Sequence, residues 1–335
     1  MEILILQNSE QKIGKTKRRK KVSTLVIFLL YLIQKSLIKI SFMRKISLKN
    51  VETKRFLNLV KRSSSMDRMM FITVKGSEFE SIAYNQHKTA LKSVESDLEK
   101  ICESYENECG DETVKIQLGD ATKLVSSLTL IGSENVNIIF DIEDNNFAKK
   151  VCIQNEEAYV NVPCADPEAV DFLTLDEDKK DRIFNDTSVL QFSININDIE
   201  FKYIQSLFGL NKESVRVFFY KKGDDVFVSE IESTDENVRE DLNATINNAR
   251  SGEESAFNDF FNYEKMYNKR LNISDYDNFS GEENFLACFN KQYFGWVDND
   301  KLYTMEFHKN RMKVSSFDEE NCVKTSVVLA PVTFA

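Results

Sequence analysis

From residue 43 onward the chain alternates short runs with apolar residues at every second position and a few with apolar residues three and four apart. These are the periods of half-buried strands and of one-sided helices. Arg44–Leu48 reads as a strand. In Glu52–Ser65, Phe56, Leu57, Leu59 and Val60 fall on one side of a helix, with Lys54, Arg55, Asn58, Lys61 and Arg62 on the other. Strands follow at Met70–Lys75 and Phe79–Asn85. The same order then returns about 145 residues later: strand Val189–Ile196, helix Asp198–Phe208, strands Val215–Tyr220 and Val226–Ile231. Such a constant offset points to an internal repeat.

Each pass continues with a polar stretch of some helical character, His87–Asp111 in the first and the longer Ser233–Lys269 in the second. A strand and a second helix are predicted next: Thr113–Leu118 with Asp120–Leu130, and Arg270–Tyr276 with Glu283–Phe294. Three strands close each pass, Val136–Ile142, Lys149–Gln154 and Ala158–Val162, then Lys301–His308, Arg311–Phe317 and Val323–Leu329. The predicted organisation is a first domain over 43–165, an acidic connector over 166–187, and a second domain over 188–335 with an insertion at 233–269. The fold class is α+β, each half carrying two helices on one face of a sheet.

Charge sharpens the picture at one helix. The formal net charge is −10, so four cations on the face of Glu52–Ser65 stand out from their background. Positive charge concentrated on one face of an acidic protein meets a polyanion there and leaves the other surfaces repulsive to it. A solvated face is the competing reading of any such run.

The first 42 residues differ from the rest, with nine Lys/Arg against two acids, whereas the remainder nets −17. Within them Val22–Ile33 is apolar for 12 residues, short of the roughly 20 that span a bilayer. Two readings stay open: an upstream extension with Met43 as the true start, or a membrane-associated segment. Gly14-Lys15-Thr16 imitates the end of a phosphate loop, but Ser9 stands where the first glycine belongs. Six cysteines without paired spacing indicate reduced thiols and neither a zinc site nor a disulfide framework. His87 and His308 lack a neighbouring nucleophile, and the acidic stretches at 175–181 and 317–321 lack calcium-loop spacing. The expectation is no cofactor, no metal and no catalysis.

Specific words then add a resemblance. Met43–Val60, Pro163-Cys-Ala-Asp-Pro-Glu-Ala-Val170, and Leu271-Asn-Ile-Ser-Asp-Tyr-Asp277 with Gly281, Glu282 and Phe285 resemble the processivity clamps of T-even bacteriophages. Leu329-Ala-Pro-Val332 is similar to the tail of proliferating cell nuclear antigen, their eukaryotic and archaeal relative. The resemblance covers Met43 to Val332; residues 1–42 and the insertion at 233–269 have no counterpart in the phage family.

The resemblance implies two sliding-clamp domains per chain and a homotrimeric ring of six domains. It further implies a non-enzymatic factor that encircles double-stranded DNA without reading sequence, serving a DNA polymerase and a clamp loader at the replisome in the host cytoplasm. On the helices that would line the hole, the expected DNA contacts are Lys54, Arg55, Lys61, Arg62, Lys123, Lys202 and Lys291. The expected partner-binding positions are Phe172, Leu173, Leu329, Ala330, Pro331 and Val332. The alternative is a β-rich phage structural or interaction protein, anchored to a membrane through residues 1–42.

Overall fold

The computed structural model describes residues 43–85, 87, 89–170, 175, 177–184, 190–209, 216–231, 236–251, 253–262, 267–273, 276–278, 284–308 and 310–332. The sequence reading of residues 1–42 therefore lies outside the described residues, as do Phe172 and Leu173.

The first half runs β1 (Arg44–Glu52), α1 (Thr53–Ser63), β2 (Met70–Lys75), β3 (Glu78–Tyr84), β4 (Ala90–Asp97), β5 (Ser104–Asn107), β6 (Val114–Leu118), α2 (Ala121–Ile131), β7 (Asn135–Ile142), β8 (Ala148–Gln154) and β9 (Tyr159–Pro163). Short helices α3 (Pro167–Val170) and α4 (Glu177–Phe184) follow in the connector. The second half runs β10 (Leu190–Asn197), α5 (Asp198–Gly209), β11 (Arg216–Lys222), β12 (Asp225–Ile231), α6 (Glu236–Arg250), α7 (Glu254–Asn262), β13 (Tyr267–Ile273), β14 (Tyr276–Asn278) and β15 (Asn284–Asn290). It ends with a 3-10 segment Lys291–Trp296, β16 (Leu302–His308), β17 (Arg311–Asp318) and β18 (Val323–Leu329).

The sheets repeat as the elements do. The order β5-β1-β7-β8-β9 forms one sheet and β13-β12-β11-β15 another. Between them a nine-stranded sheet joins β14-β10-β16-β17-β18 to β4-β3-β2-β6. Strand by strand, the second half reproduces the first, and β18 pairs antiparallel with β4 from Leu329↔Ala90 to Val323↔Ser96. That pairing makes the two halves one continuous outer sheet. The repeats of these two strands, β9 and β13, end their sheets unpaired among the described residues.

Each half closes its core beneath its helices. In the first, Phe56, Leu59 and Val60 of α1 and Leu124 and Leu128 of α2 pack on Ile46, Ile138, Phe140 and Val151. Asp120 caps α2 by accepting from the Thr122 amide, and Gly132 ends it at φ 61°, a left-handed turn that favours glycine. In the second half Phe192 stacks on Phe307 with centroids 4.4 Å apart, and Phe201 of α5 stacks on Tyr303 at 4.2 Å.

Two expectations fail in instructive ways. The predicted helix Glu283–Phe294 is instead strand β15 followed by the 3-10 segment. All of Phe285–Phe289 is buried, with Phe285, Ala287 and Phe289 facing the domain core and Leu286 and Cys288 facing the α6–α7 hairpin. A strand buried on both faces shows no alternation, so its period is indistinguishable from a helix. The counterpart of β6 is accordingly β15 and not the predicted strand Arg270–Tyr276; β13 and β14 repeat β4 and β5. The polar stretch His87–Asp111 contains those two strands, and its helical character among the described residues is the single 3-10 turn Leu98–Lys100 between them. The insertion, by contrast, is a helical hairpin. Leu242, Ile246, Ala256, Phe257 and Phe260 lay it over Phe218 and Tyr220 on the outer face of the second domain's four-stranded sheet.

Candidate nucleic-acid interface

Helices α1 and α2 lie against each other on the first domain, a shelf that carries four of the expected cations. Lys54 and Lys61 on α1 and Lys123 on α2 are exposed. Arg55 is half-exposed and shares its charge with Glu52 at 3.0 Å. Exposed Ser126 and Thr129 on α2 add hydroxyls. Lys61 also sits in the last turn of α1, where a cation complements the helix dipole.

One cation of the shelf escaped the sequence reading. Arg68, exposed in the loop after α1, accepts the Ala121 amide on its carbonyl at 2.8 Å and so stands at the start of α2. Asp120 there is held below the usual carboxylate range. The Thr122 hydroxyl and amide are the main cause, with the charges of Lys123 and Arg68 assisting. The sequence signal was a lone Arg beside an Asp in a loop, which periodicity does not score.

Arg62 corrects the expectation for α1. It is 7% exposed, and its guanidinium is bound by Asp300 in both positions and by Asp318 at 2.6 Å. At the end of α1 it faces the second domain rather than the open shelf, and no face of it remains for a phosphate.

The second domain carries little open positive charge at the repeated positions. Lys202 on α5 is exposed but pairs with Asp198 at 3.0 Å. Beside it α5 also exposes two large apolar side chains, Ile199 and Tyr203, 66% and 63% exposed. Lys291, expected on a helix, sits on the 3-10 segment and is tied to buried Glu230 at 2.9 Å.

The expected partner-binding tail divides by strand alternation. Leu329 is fully buried and points into the second core, which corrects its assignment as a surface contact. Its neighbour Val328 takes the opposite face. There it meets Leu91 and Phe184, with Tyr84, Leu175 and Ile183 around them. Ala330, Pro331 and Val332 are half-buried. Ala330 donates to the Thr89 carbonyl, and Val332 donates to that of Cys288.

Among the described residues no group of acidic, histidine or cysteine side chains is arranged to hold a metal. No helix among them is long and apolar enough to cross a membrane. His87 is exposed and His308 buried, and the six cysteines are free.

Two tandem nine-strand units joined edge to edge in one outer sheet define the sliding-clamp fold of the proliferating cell nuclear antigen type. Solved structures of that fold match nearly the whole chain. A. fulgidus PCNA, solved with the C-terminal region of FEN-1 bound, superposes with a TM-score of 0.58 at 14% identity, over 88% of this chain and 100% of that one. PCNA from Thermococcus kodakaraensis gives 0.56 at 9% identity, over 86% and 100%. The PCNA2–PCNA3 complex from Sulfolobus tokodaii gives 0.54 at 8% identity, over 85% and 98%. No protein-family model and no curated protein matches the sequence.

Proposed function

We propose that this chain is a DNA sliding clamp: three copies close into a ring of six domains around duplex DNA. The ring holds a DNA polymerase to its template in the replication of a virus of the T-even bacteriophage type. It acts without chemistry of its own.

One observation carries this reading. The chain makes the β18–β4 contact once, internally, and among the described residues leaves the outer edges of the repeats of both strands, β9 and β13, open. A second copy supplies the missing partner on each side, and a head-to-tail contact that closes by rotation makes a ring. Tyr159 on β9 is 68% exposed, whereas the repeated position on β18, Ser326, is 2% exposed beneath β4. The register carries over as well. Val162 stands opposite Val151 as Leu329 stands opposite Met312, and Lys269 stands opposite Glu230 as Lys92 stands opposite Ala83. Between copies, Val162 therefore faces Tyr267, and Val160 faces Lys269.

Lys54, Arg55, Lys61, Lys123 and Arg68 contact phosphates from the first domain of each copy. Such contacts position without reading sequence and are weak enough to exchange, which suits sliding. Lys202 and Lys291 contribute less because their charges are already paired. Partner proteins, the polymerase and the loader among them, insert a short apolar segment at the outer patch around Tyr84, Leu91 and Val328, beside the connector and the tail Ala330–Val332. That the A. fulgidus protein was solved with a C-terminal segment bound supports this mode.

The test is retention on DNA. After loading by its clamp loader, the protein is expected to stay on a nicked circle through a high-salt wash and to leave the same DNA once it is linearised. Equal loss from circle and line, or a monomer at micromolar concentration, would overturn the reading.

A further inference from the structure

Where the two domains meet, five charged side chains cluster, Arg62, Lys92 and Asp300 buried and Asp298 and Asp318 half-buried, and none has a part in the function proposed above. Arg62 at the end of α1 donates to Asp300 through both terminal nitrogens, at 2.9 and 2.7 Å. It also donates to Asp318 at 2.6 Å and, through Nε, to Asn58 at 2.6 Å. Lys92 of β4 is 1% exposed and spends its ammonium on Ser65 at 2.8 Å, the Trp296 carbonyl at 3.0 Å and Asp298 at 2.9 Å. The carboxylates are further held from the second domain. Ser316 donates to Asp300, Thr325 to Asp298, and Asn321 to Asp318. Tyr303 closes the loop, accepting the Asp300 amide and donating to the Asp298 carbonyl. Both cations belong to the first domain and all three carboxylates to the second.

The position of the cluster matters. Pairing of β18 with β4 joins the domains along their outer layer only, and a sheet can flex about such a seam. The cluster bridges the inner layer, from the last turn of α1 to the segment before β16. Two attachments at different depths fix an angle that one leaves free.

The other junction lacks this bridge. The Thr53 amide donates to the Glu134 carbonyl as the Asp198 amide donates to that of Lys301, which aligns the two helices and the loops beneath them. On that alignment Leu207 stands for Arg62, Ser133 for Asp300 and Ile131 for Asp298. Asp318 lies in three additional pairs that lengthen the β17–β18 hairpin relative to β8–β9. Lys269 alone repeats, in place of Lys92.

We infer that Arg62 and Lys92 are positioning residues: together with Asp298, Asp300 and Asp318 they lock the DNA-facing helix α1 to the second domain. The two domains of one chain then move as a single rigid arc, and flexing is confined to contacts between copies. Removing one partner strands the rest as unpaired buried charge, so the lock acts as a unit. The terms "DNA-facing" and "arc" rest on the clamp reading, but the lock itself is a property of one chain.

The experiment measures distances within the full-length protein. Spin labels are introduced as noncanonical residues at Lys54 and Lys202, both exposed, and the labelled protein is diluted into unlabelled protein. A single narrow distance distribution is expected for the native chain. Arg62→Met is expected to at least double its width, and Arg62→Lys, which keeps the charge but loses the two-pronged grip, to fall between. Asp318→Asn, near the rim of the cluster, is the milder variant should Arg62→Met fail to fold, with broadening of the same sense. Lys269→Met, the change at the other junction, is expected to leave the width unaltered. Native width in folded Arg62→Met, or in Asp318→Asn where that variant replaces it, would overturn the lock. Broadening in a protein that never encircles DNA would retain the lock and dismiss the clamp.

Discussion

At Lys61 and Arg62 two adjacent cations meet different surroundings, because an α-helix turns about 100° per residue. Lys61 is exposed on the shelf with Lys54 and Lys123, whereas Arg62 is enclosed by carboxylates. Both were legible as cations on a helix, but the aspartates that claim Arg62 lie 238 and 256 residues further along the chain. No local pattern holds that information. Replacing Lys54, Lys61, Lys123 or Arg68 by Ala is therefore expected to weaken DNA binding. Each phosphate partner removed in this way should lower the slope of log K against log salt by about 1. Calorimetric stability should stay within about 0.5 kcal/mol; an unchanged salt slope in the combined variant would mean that the shelf does not meet DNA.

Asp318 makes stability at the domain junction depend on pH. Burial works against its ionisation, but the Asn321 side chain and amide and the Arg62 charge outweigh it and hold the carboxyl below the usual aspartate range. A carboxylate with a depressed folded-state pKa contributes its stability fully above the unfolded value, about 3.9, and loses it as pH falls through the folded one. The melting temperature is thus expected to drop more steeply below about pH 4 in the native protein than in Asp318→Asn. Parallel acid limbs would deny the group this role.

Elements were legible where one face is buried and the other wet. Helix α1 and strands β2, β3, β7, β8, β16 and β17 largely alternate or keep one stripe, and all stand close to their predicted bounds. The failure at β15 came from burial on both sides, since the α6–α7 hairpin covers the face that would otherwise show polar residues. The same reasoning makes the hairpin structural. Phe260→Ala, a fully buried side chain at its base, is expected to cost about 3–5 kcal/mol in denaturant unfolding. DNA retention by the protein that remains folded should be unchanged. A small cost would mean that the hairpin sits loosely on its sheet. Strand alternation also separates Leu329 from Val328 and puts Val328 in the outer patch proposed for partners, which the linear Leu-Ala-Pro-Val word did not reveal.

For the whole molecule, the repeat was legible from its constant offset. Which strands repeat which was obscured in the middle of the second half, where the hairpin displaces β13 and β14 from their expected distance. Once the sheets are drawn, one internal junction is seen and the outer edges of its repeated strands, β9 and β13, are open among the described residues; the proposed ring repeats that junction. In that proposed ring, the acidic body and the cationic shelf give the outside and the hole opposite electrostatic characters.

The most direct test is to join the free edges chemically. In full-length protein carrying Val160→Cys and Lys269→Cys, mild oxidation should link neighbouring copies at all three contacts. The product expected on a denaturing gel is a closed trimer that, formed on nicked circular DNA after loading, stays attached to it in detergent. No cross-link beyond the background given by either single cysteine, or an open ladder longer than three copies that detergent strips from the circle, would contradict the ring.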